Sequence, residues 1–406
     1  MKANHVSVFF WSLISFFCLS ACTPEEDVDC VVAQRTVLVY VAADNDLLSF
    51  AFDDLKEMKE GMRNIKESDL HLLAYVDTGS SAQLVNFVNV GGEVQEEIIR
   101  EYGDRNSVGV TEMREVFNDV FANPAFLAES YGLVFWSHAD GWIPYENPST
   151  RWIGVDKTGN KDYRMNLADF VQVLQESPHL DFIFFDACFM LSIEVAYELR
   201  HYTDFYIASP TENPGPGAPY NVLVPLMYAD NAAYRMADAN FRYYQGLYND
   251  GIGISNNNWT GGVSCGVLCS SELDNLAFLT DQLLSSFSSG DVADLRNAVF
   301  DCDRRYSSHV GYYDLEGMMK LLLDNDDFQV WKNTYSSSLC SYYTTPMNFS
   351  QYAGMFSMEE SNGATNYIPD ESAPTDVDAY CSLSWYKDAL SKLAWERYGK
   401  VNSARP

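Results

Sequence analysis

The segment DFIFFDACFMLSIEVAYELR, Asp181 to Arg200, decides the fold. With Leu180 in front, its first half, Leu180 to Phe185, is apolar apart from Asp181 and reads as a strand buried on both faces. Its second half, Met190 to His201, carries apolar residues at helical spacing and reads as a helix. Cys188 stands in the junction between them. A buried strand feeding a helix is half of a crossover unit and implies a mostly parallel sheet covered on both sides.

The same grammar extends outward. Thr36 to Ala42 (TVLVYVA) is a β-branched run opening into Asp44-Asn45-Asp46, and a helix follows over Leu47 to Asn64. Leu70 to Val76, Gly132 to Trp136 and Phe205 to Ala208 are further strands. Ala82 to Val90 and Glu93 to Arg100 alternate as a hairpin would, joined by Gly91-Gly92. Thr111 to Phe121, with Thr111 as cap, and Leu167 to Gln175 are helices. Beyond Val222 the pattern turns helical, at Asn231 to Asn249 and Leu273 to Phe287, with Ser255 to Val263 as loop and Gly354 to Met358 as a returning strand. In such sheets ligand sites lie in the loops past the carboxyl ends of the strands.

Two residues hold such positions. His138 follows LVFWS at the end of a buried strand, and Cys188 follows DFIFFDA at the end of another. A helix opening at Met190 would place its N-terminal dipole near the thiol and favour thiolate. The other histidines are less telling: His71 and His179 sit near strand starts, His201 ends a helix, and His309 is in an irregular region. Asp44-Asn45-Asp46 has part of a calcium-loop pattern but lacks the later Gly and Glu, and reads as a turn and helix cap. There is no nucleotide-binding glycine fingerprint, and Cys265 and Cys269 lack a second cysteine pair at zinc spacing, so no metal is assigned.

Composition sets limits. The chain has 406 residues, 47% apolar and 20% charged, which is globular. A net charge of -31 repels nucleic acid and anionic membrane surfaces. The 26 tyrosines suit either a tyrosine-rich core or a peptide- or sugar-binding surface. The N-terminus has a basic start, an apolar stretch from Val6 to Leu19, and Leu19-Ser20-Ala21-Cys22. That reads as a secretory signal and resembles a bacterial lipobox, so Cys22 is expected to carry lipid and to begin the mature chain, the alternative being an ordinary signal peptide cut nearby. Glu25-Glu26-Asp27 resembles the export signals of some Gram-negative surface lipoproteins. The expected location is the cell envelope, with an outer-membrane lipid anchor and surface exposure. Apart from Cys18 and Cys22, seven of the nine cysteines remain. If Cys188 is a free thiol, six could form up to three bridges, with 15 pairings open.

VFWSHADGW, Val134 to Trp142, and DFIFFDACFMLSIEVAYELR resemble the histidine and cysteine motifs of the clostripain-type cysteine peptidases. TVLVYVAADNDL, Thr36 to Leu47, resembles that family's first strand and turn, and ASPTENPGPGAPY, Ala208 to Tyr220, the segment after a later strand. YYDLEGM at 312 to 318 and GMFSM at 354 to 358 are weaker matches. The resemblance implies a caspase-like three-layer α/β/α sandwich and a dyad with Cys188 as nucleophile and His138 as base and acid, requiring no third carboxylate. It further implies an oxyanion hole from the backbone N–H groups of Cys188 and Ala139, and substrate binding by Asp186 and Glu212 with Arg or Lys at P1. Calcium dependence and internal cleavage after a basic residue, among Arg151, Lys157, Lys161 and Arg164, also exist among such peptidases. The chain has Ala139 where the family usually has glycine, and Pro210, Thr211 and Asn213 where acids are common.

The expected organisation is a signal over 1–21, a lipidated tether over 22–34, a peptidase core over 35–222, and a mainly helical region over 223–406 that completes or extends the core. The expected function is that of an endopeptidase on proteins or peptides, touching membrane only through its anchor. The alternatives are an inactive surface lipoprotein binding peptides or glycans in the same cleft, and a cysteine amidase acting on cell-wall peptides.

Overall fold

The computed structural model describes residues 32–65, 69–142, 153–284, 292–306 and 309–400. The signal stretch, Cys22 and Cys30 lie outside the described residues, as do Arg151 and the expected tether up to Val31.

In the first strands, odd and even residues are buried on opposite sides. In β1 (Ala33–Ala42), Leu38 and Tyr40 enter one apolar core while Val37, Val39 and Val41 enter another. A strand with no polar face must lie inside a covered sheet. Among the described residues nine strands form that sheet. The others are β2 (Leu70–Asp77), β3 (Ala82–Val90), β4 (Glu93–Gly103), β5 (Ala128–Trp136), β8 (Leu180–Asp186), β9 (Thr203–Ala208), β10 (Ser264–Cys269) and β12 (Leu339–Thr344). Their spatial order is β12-β10-β9-β8-β5-β1-β2-β3-β4. The central block β2-β1-β5-β8-β9 is parallel, and both flanks are antiparallel.

Helices α1 (Leu48–Met62), α5 (Tyr220–Leu226) and α6 (Ala232–Leu247) cover one face. Helices α2 (Val110–Phe121), α3 (Leu167–Leu174), α4 (Ile193–Leu199) and α7 (Ser270–Leu283) cover the other. On that second face the rings of Tyr40 and Tyr75 stack at 4.4 Å and Tyr40 and Phe135 at 5.9 Å. Tyr40, Tyr75, Tyr206, Tyr220, Tyr244, Tyr312, Tyr335, Tyr367 and Tyr380 are all fully buried. A large share of the tyrosines therefore goes to the core, with each hydroxyl needing a partner: Tyr40, for example, donates to the Ser107 carbonyl at 2.6 Å.

Past the core strands lie the small hairpins β6 (Ile153–Asp156) with β7 (Tyr163–Met165), and β13 (Met347–Ser350) with β14 (Gly354–Ser357). Strand β11 (Tyr313–Asp314) pairs with β15 (Thr365–Asn366). Helices α8 (Val292–Ala298), α9 (Leu315–Leu322), α10 (Asn325–Ser338) and α11 (Pro374–Ser382) fill the C-terminal region. Among the described residues no helix is long and apolar enough to cross a membrane.

Several expectations need correction. The helix expected from Met190 begins at Ile193, capped by Ser192. Its first turn is lost because Leu191 donates to the Ser209 carbonyl (2.8 Å) and accepts from Thr365 N–H (2.9 Å), which holds it extended. Thr111 does not cap α2; the N-cap is Gly109. Asp44-Asn45-Asp46 makes the turn through Asn45, whose side chain accepts from Leu47 N–H at 2.9 Å, but supplies no side-chain cap to α1. The run Ser264 to Cys269 carried no expected element and is a central-sheet strand. Cys269 pairs with Cys340, and Cys188, Cys265, Cys302 and Cys381 are free. One bridge among the described residues thus replaces the three that the count allowed.

Candidate active site

Register decides the site. Trp136 at the end of β5 pairs with Asp186 at the end of β8. His138 and Cys188 each stand two residues beyond that pair, on adjacent parallel strands. Both line one cleft of about 340 Å³, with Asp46, Asp186, Glu212 and Asn213. Its apolar wall is Phe50, Trp259 and Phe349, the last two edge-to-face at 5.7 Å. Among the lining residues there is no lysine or arginine.

Cys188 lies on a tight turn. The next residue, Phe189, has φ +57°, a left-handed conformation that costs a non-glycine residue about 1–2 kcal/mol. The turn is held because Phe189 N–H donates to the Thr211 carbonyl at 3.0 Å and the ring stacks on Tyr312 at 4.9 Å. The half-buried thiol accepts from Asn213 N–H at 3.4 Å. Burial and then the Glu212 carboxylate push it up to about 12, against the pull of Asn213 N–H and Arg305. This reverses the expectation of a thiolate favoured by a helix dipole. The helix starts too late, and the low-dielectric pocket disfavours the anion.

The His138 loop is fixed from several sides. The Ser137 hydroxyl donates to the Ala42 carbonyl at 2.9 Å, and Gly154 N–H donates to the His138 carbonyl at 2.9 Å. Asp46 Oδ1 lies 2.8 Å from His138 Nε2. Ala139 is not among the residues with positive φ, so its methyl group brings no backbone strain where the family has glycine. Among the described residues, neither Ala139 N–H nor Cys188 N–H is taken by a backbone carbonyl.

Asp186 is buried at the floor. It accepts from Asn213 Nδ2 (3.2 Å), Ala218 N–H (2.8 Å) and the Tyr220 hydroxyl (3.0 Å). Burial raises its pKa, and these three donors oppose the rise. Beside it Asp54 is pushed to about 9 by burial and by the charges of Asp186 and Glu57, and accepts from Trp136 Nε1 at 2.7 Å. Asp54 is thus held toward its neutral form at pH 7, and burial pushes Asp186 in the same direction. Gly217, with φ +74°, closes over both: a Cβ there would stand 2.9 Å from Asp54 Oδ2 and 3.1 Å from Asp186 Oδ2. Glu212 is raised by burial and steadied by the Ser350 hydroxyl and Gln351 N–H.

Four of the five residues singled out in the sequence, Cys188, His138, Asp186 and Glu212, line this cleft, and Ala139 directly follows His138. Asp46, Asp54, Phe50, Trp259 and Phe349 were missed as site residues. Asp46 lay in a segment already noted as special, but the aromatics carry no local signal.

Two adjacent strand ends deliver a thiol and an imidazole into one cleft of an α/β sandwich, the constellation of a cysteine peptidase. The clostripain family (peptidase C11) matches residues 39–398, and the chain belongs to it. It is similar to a secreted C11 cysteine protease from Bacteroides thetaiotaomicron, solved in complex with an irreversible peptide inhibitor. The identity is 41%, coverage is 88% of this chain and 99% of that one, and the TM-score is 0.81. An inactive zymogen C11 protease from Parabacteroides distasonis is 27% identical, covers 88% and 98% of the two chains, and gives a TM-score of 0.75. Clostripain of Hathewaya histolytica is 27% identical over 218 residues, 46% of this chain but only 40% of that protein's length.

Proposed function

We propose that the protein is a lipid-anchored endopeptidase that cleaves peptide bonds after arginine or lysine, with Cys188 as nucleophile and His138 as proton carrier. The observation that carries the reading is the Trp136–Asp186 register, which puts both groups at one rim of the sheet. The thiol rests protonated. His138 takes its proton as Sγ attacks the scissile carbonyl carbon, and the oxyanion is received by the N–H groups of Cys188 and Ala139. His138 then gives the proton to the leaving amine, the C–N bond breaks, and a thioester remains. Water activated by the same imidazole releases the acid and restores the thiol. Since Nε2 is held by Asp46, Nδ1 is the ring nitrogen left for these transfers.

A basic P1 residue is supported by the carboxyl groups of Asp186 and Glu212 in a cleft whose lining residues include no lysine or arginine. A carboxylate has about four acceptor positions, so the three donors on Asp186 leave room for one more. The anchor rests on Leu-Ser-Ala-Cys22 and on the secreted relative.

The test is a fluorogenic peptide library given to the purified protein and to Cys188→Ala and His138→Ala. Cleavage after Arg or Lys that disappears in both variants is expected. Uncleaved peptides that still bind would favour a binding protein, and cleavage restricted to cell-wall peptides an amidase. For the anchor, Cys22→Ser should move the protein from the membrane to the soluble fraction.

A further inference from the structure

The His138 loop and the Cys188 turn share a partner that belongs to neither. Arg305, from the segment between α8 and β11, has a side chain only 9% exposed. Its Nη1 donates to Asp140 Oδ2 at 2.8 Å, in the loop just past His138. Its Nε and Nη2 grip Asp303 Oδ1 and Oδ2 at 2.7 and 2.8 Å. Its guanidinium lies 4.8 Å from the centroid of Phe189, the residue after Cys188. Tyr312 closes the arrangement: its ring stacks on Phe189, and its hydroxyl donates to the Asp140 carbonyl at 2.6 Å.

We propose that Arg305 is a positioning residue for the peptidase reaction, a buried clamp that fixes the histidine loop against the cysteine turn from the C-terminal region. The proposal rests on the reading of Cys188 and His138 as the reacting pair. Only a planar fork with a flat, polarizable face can meet two carboxylates and an aromatic ring at once; lysine offers one point charge. Asp303 is itself held, accepting from Val310 N–H at 2.9 Å, so the fork has a fixed base from which to reach Asp140. The Phe189 backbone is in a conformation that does not persist unaided, and the Arg305 and Tyr312 contacts are what sits on its ring. The titratable and charged groups around Cys188 are Glu212 from the loop after β9, Asp140 and His138 from the loop after β5, Asp186 from the end of β8, Asp46 from the loop after β1, and Arg305. Arg305 is the permanent cation in that set.

The experiment compares Arg305→Met, Arg305→Lys, Asp140→Asn and the Arg305→Met/Asp140→Asn double variant with the full chain. It measures steady-state peptide cleavage and the pH dependence of Cys188 alkylation by iodoacetamide, with near-UV circular dichroism to verify folding. A displacement of about 1 Å between reacting groups costs on the order of 100-fold, so Arg305→Met should lose roughly 10- to 100-fold in kcat with KM within about threefold. Arg305→Lys should restore part of that loss. The double variant should be no worse than the worse single one, because both remove the same tie. The alkylation profile should move to higher pH in Arg305→Met and to lower pH in Asp140→Asn. A folded Arg305→Met with wild-type kcat overturns the proposal. If that variant does not fold, wild-type kcat in Asp140→Asn overturns it instead. Activity persisting in Cys188→Ala or His138→Ala would overturn the assignment of the pair itself, a result separable from the Arg305 series.

Discussion

Asp46 Oδ1 stands 2.8 Å from His138 Nε2, and the two residues come from loops that follow adjacent parallel strands. The contact gives one ring nitrogen of the imidazole a carboxylate partner. Burial pushes the Asp46 carboxyl up, but the hydrogen bond and charge of His138 outweigh it and hold it below its ordinary range. Asp46 is largely exposed. An exposed pair is worth about 0.5–1 kcal/mol, so Asp46→Ala should lower kcat by about two- to fivefold. Loss of activity as complete as in His138→Ala would assign Asp46 a far larger part. Steady-state kinetics on the two variants decides this.

Glu212 sets the resting state of the nucleophile. Its carboxylate is the largest influence on the Cys188 thiol after burial and acts to raise it. Glu212→Gln removes a negative charge beside the developing thiolate, so the thiol pKa should fall from about 12. Iodoacetamide at pH 8 should then label Cys188 faster than in the wild type. Slower labelling would contradict the electrostatic account. The same variant should lose part of its preference for a cationic P1 side chain.

The buried pair Asp54 and Asp186 makes stability depend on pH. Asp54 has its folded pKa raised to about 9, so between its ordinary value and 9 the native state binds a proton that the unfolded state has released. Stability from this group is therefore lost as pH rises through that window. Asp54→Asn mimics the neutral acid and should flatten the decline of Tm between pH 5 and pH 9. A Tm profile parallel to that of the wild type would show that Asp54 does not titrate in this way.

Gly217 closes the floor of the cleft with φ +74° over two carboxyl groups. Gly217→Ala combines a disfavoured backbone region with a close contact and should cost about 1–3 kcal/mol in urea unfolding. Selectivity among P1 residues should also fall as Asp186 is displaced. Unchanged stability together with unchanged selectivity would show that the floor yields without consequence.

The sequence alone determined the parallel core, because a strand buried on two faces must be apolar on both, and Phe182 to Phe185 and Val37 to Ala42 have that pattern. It also singled out His138 and Cys188, since polar residues at the ends of such runs are conspicuous. The high tyrosine count left core and surface open, and burial of Tyr40, Tyr206 and Tyr380 decided for the core. The short run Ser264 to Cys269, with its glycine and two cysteines, carries too little local preference to announce a strand; β9 and β12 on either side make it one. The start of α4 was misread because Leu191 is held extended by Ser209 and Thr365, from the segment after β9 and from β15. The roles of Asp46, Asp54 and Arg305 depend on partners 82 to 165 positions away in the chain. Hydrophobic period and strand-end position are local properties that a chain carries in its order. Which carboxylate meets which cation or imidazole is fixed only when register and packing bring distant loops to one rim, and that the tertiary structure alone decided.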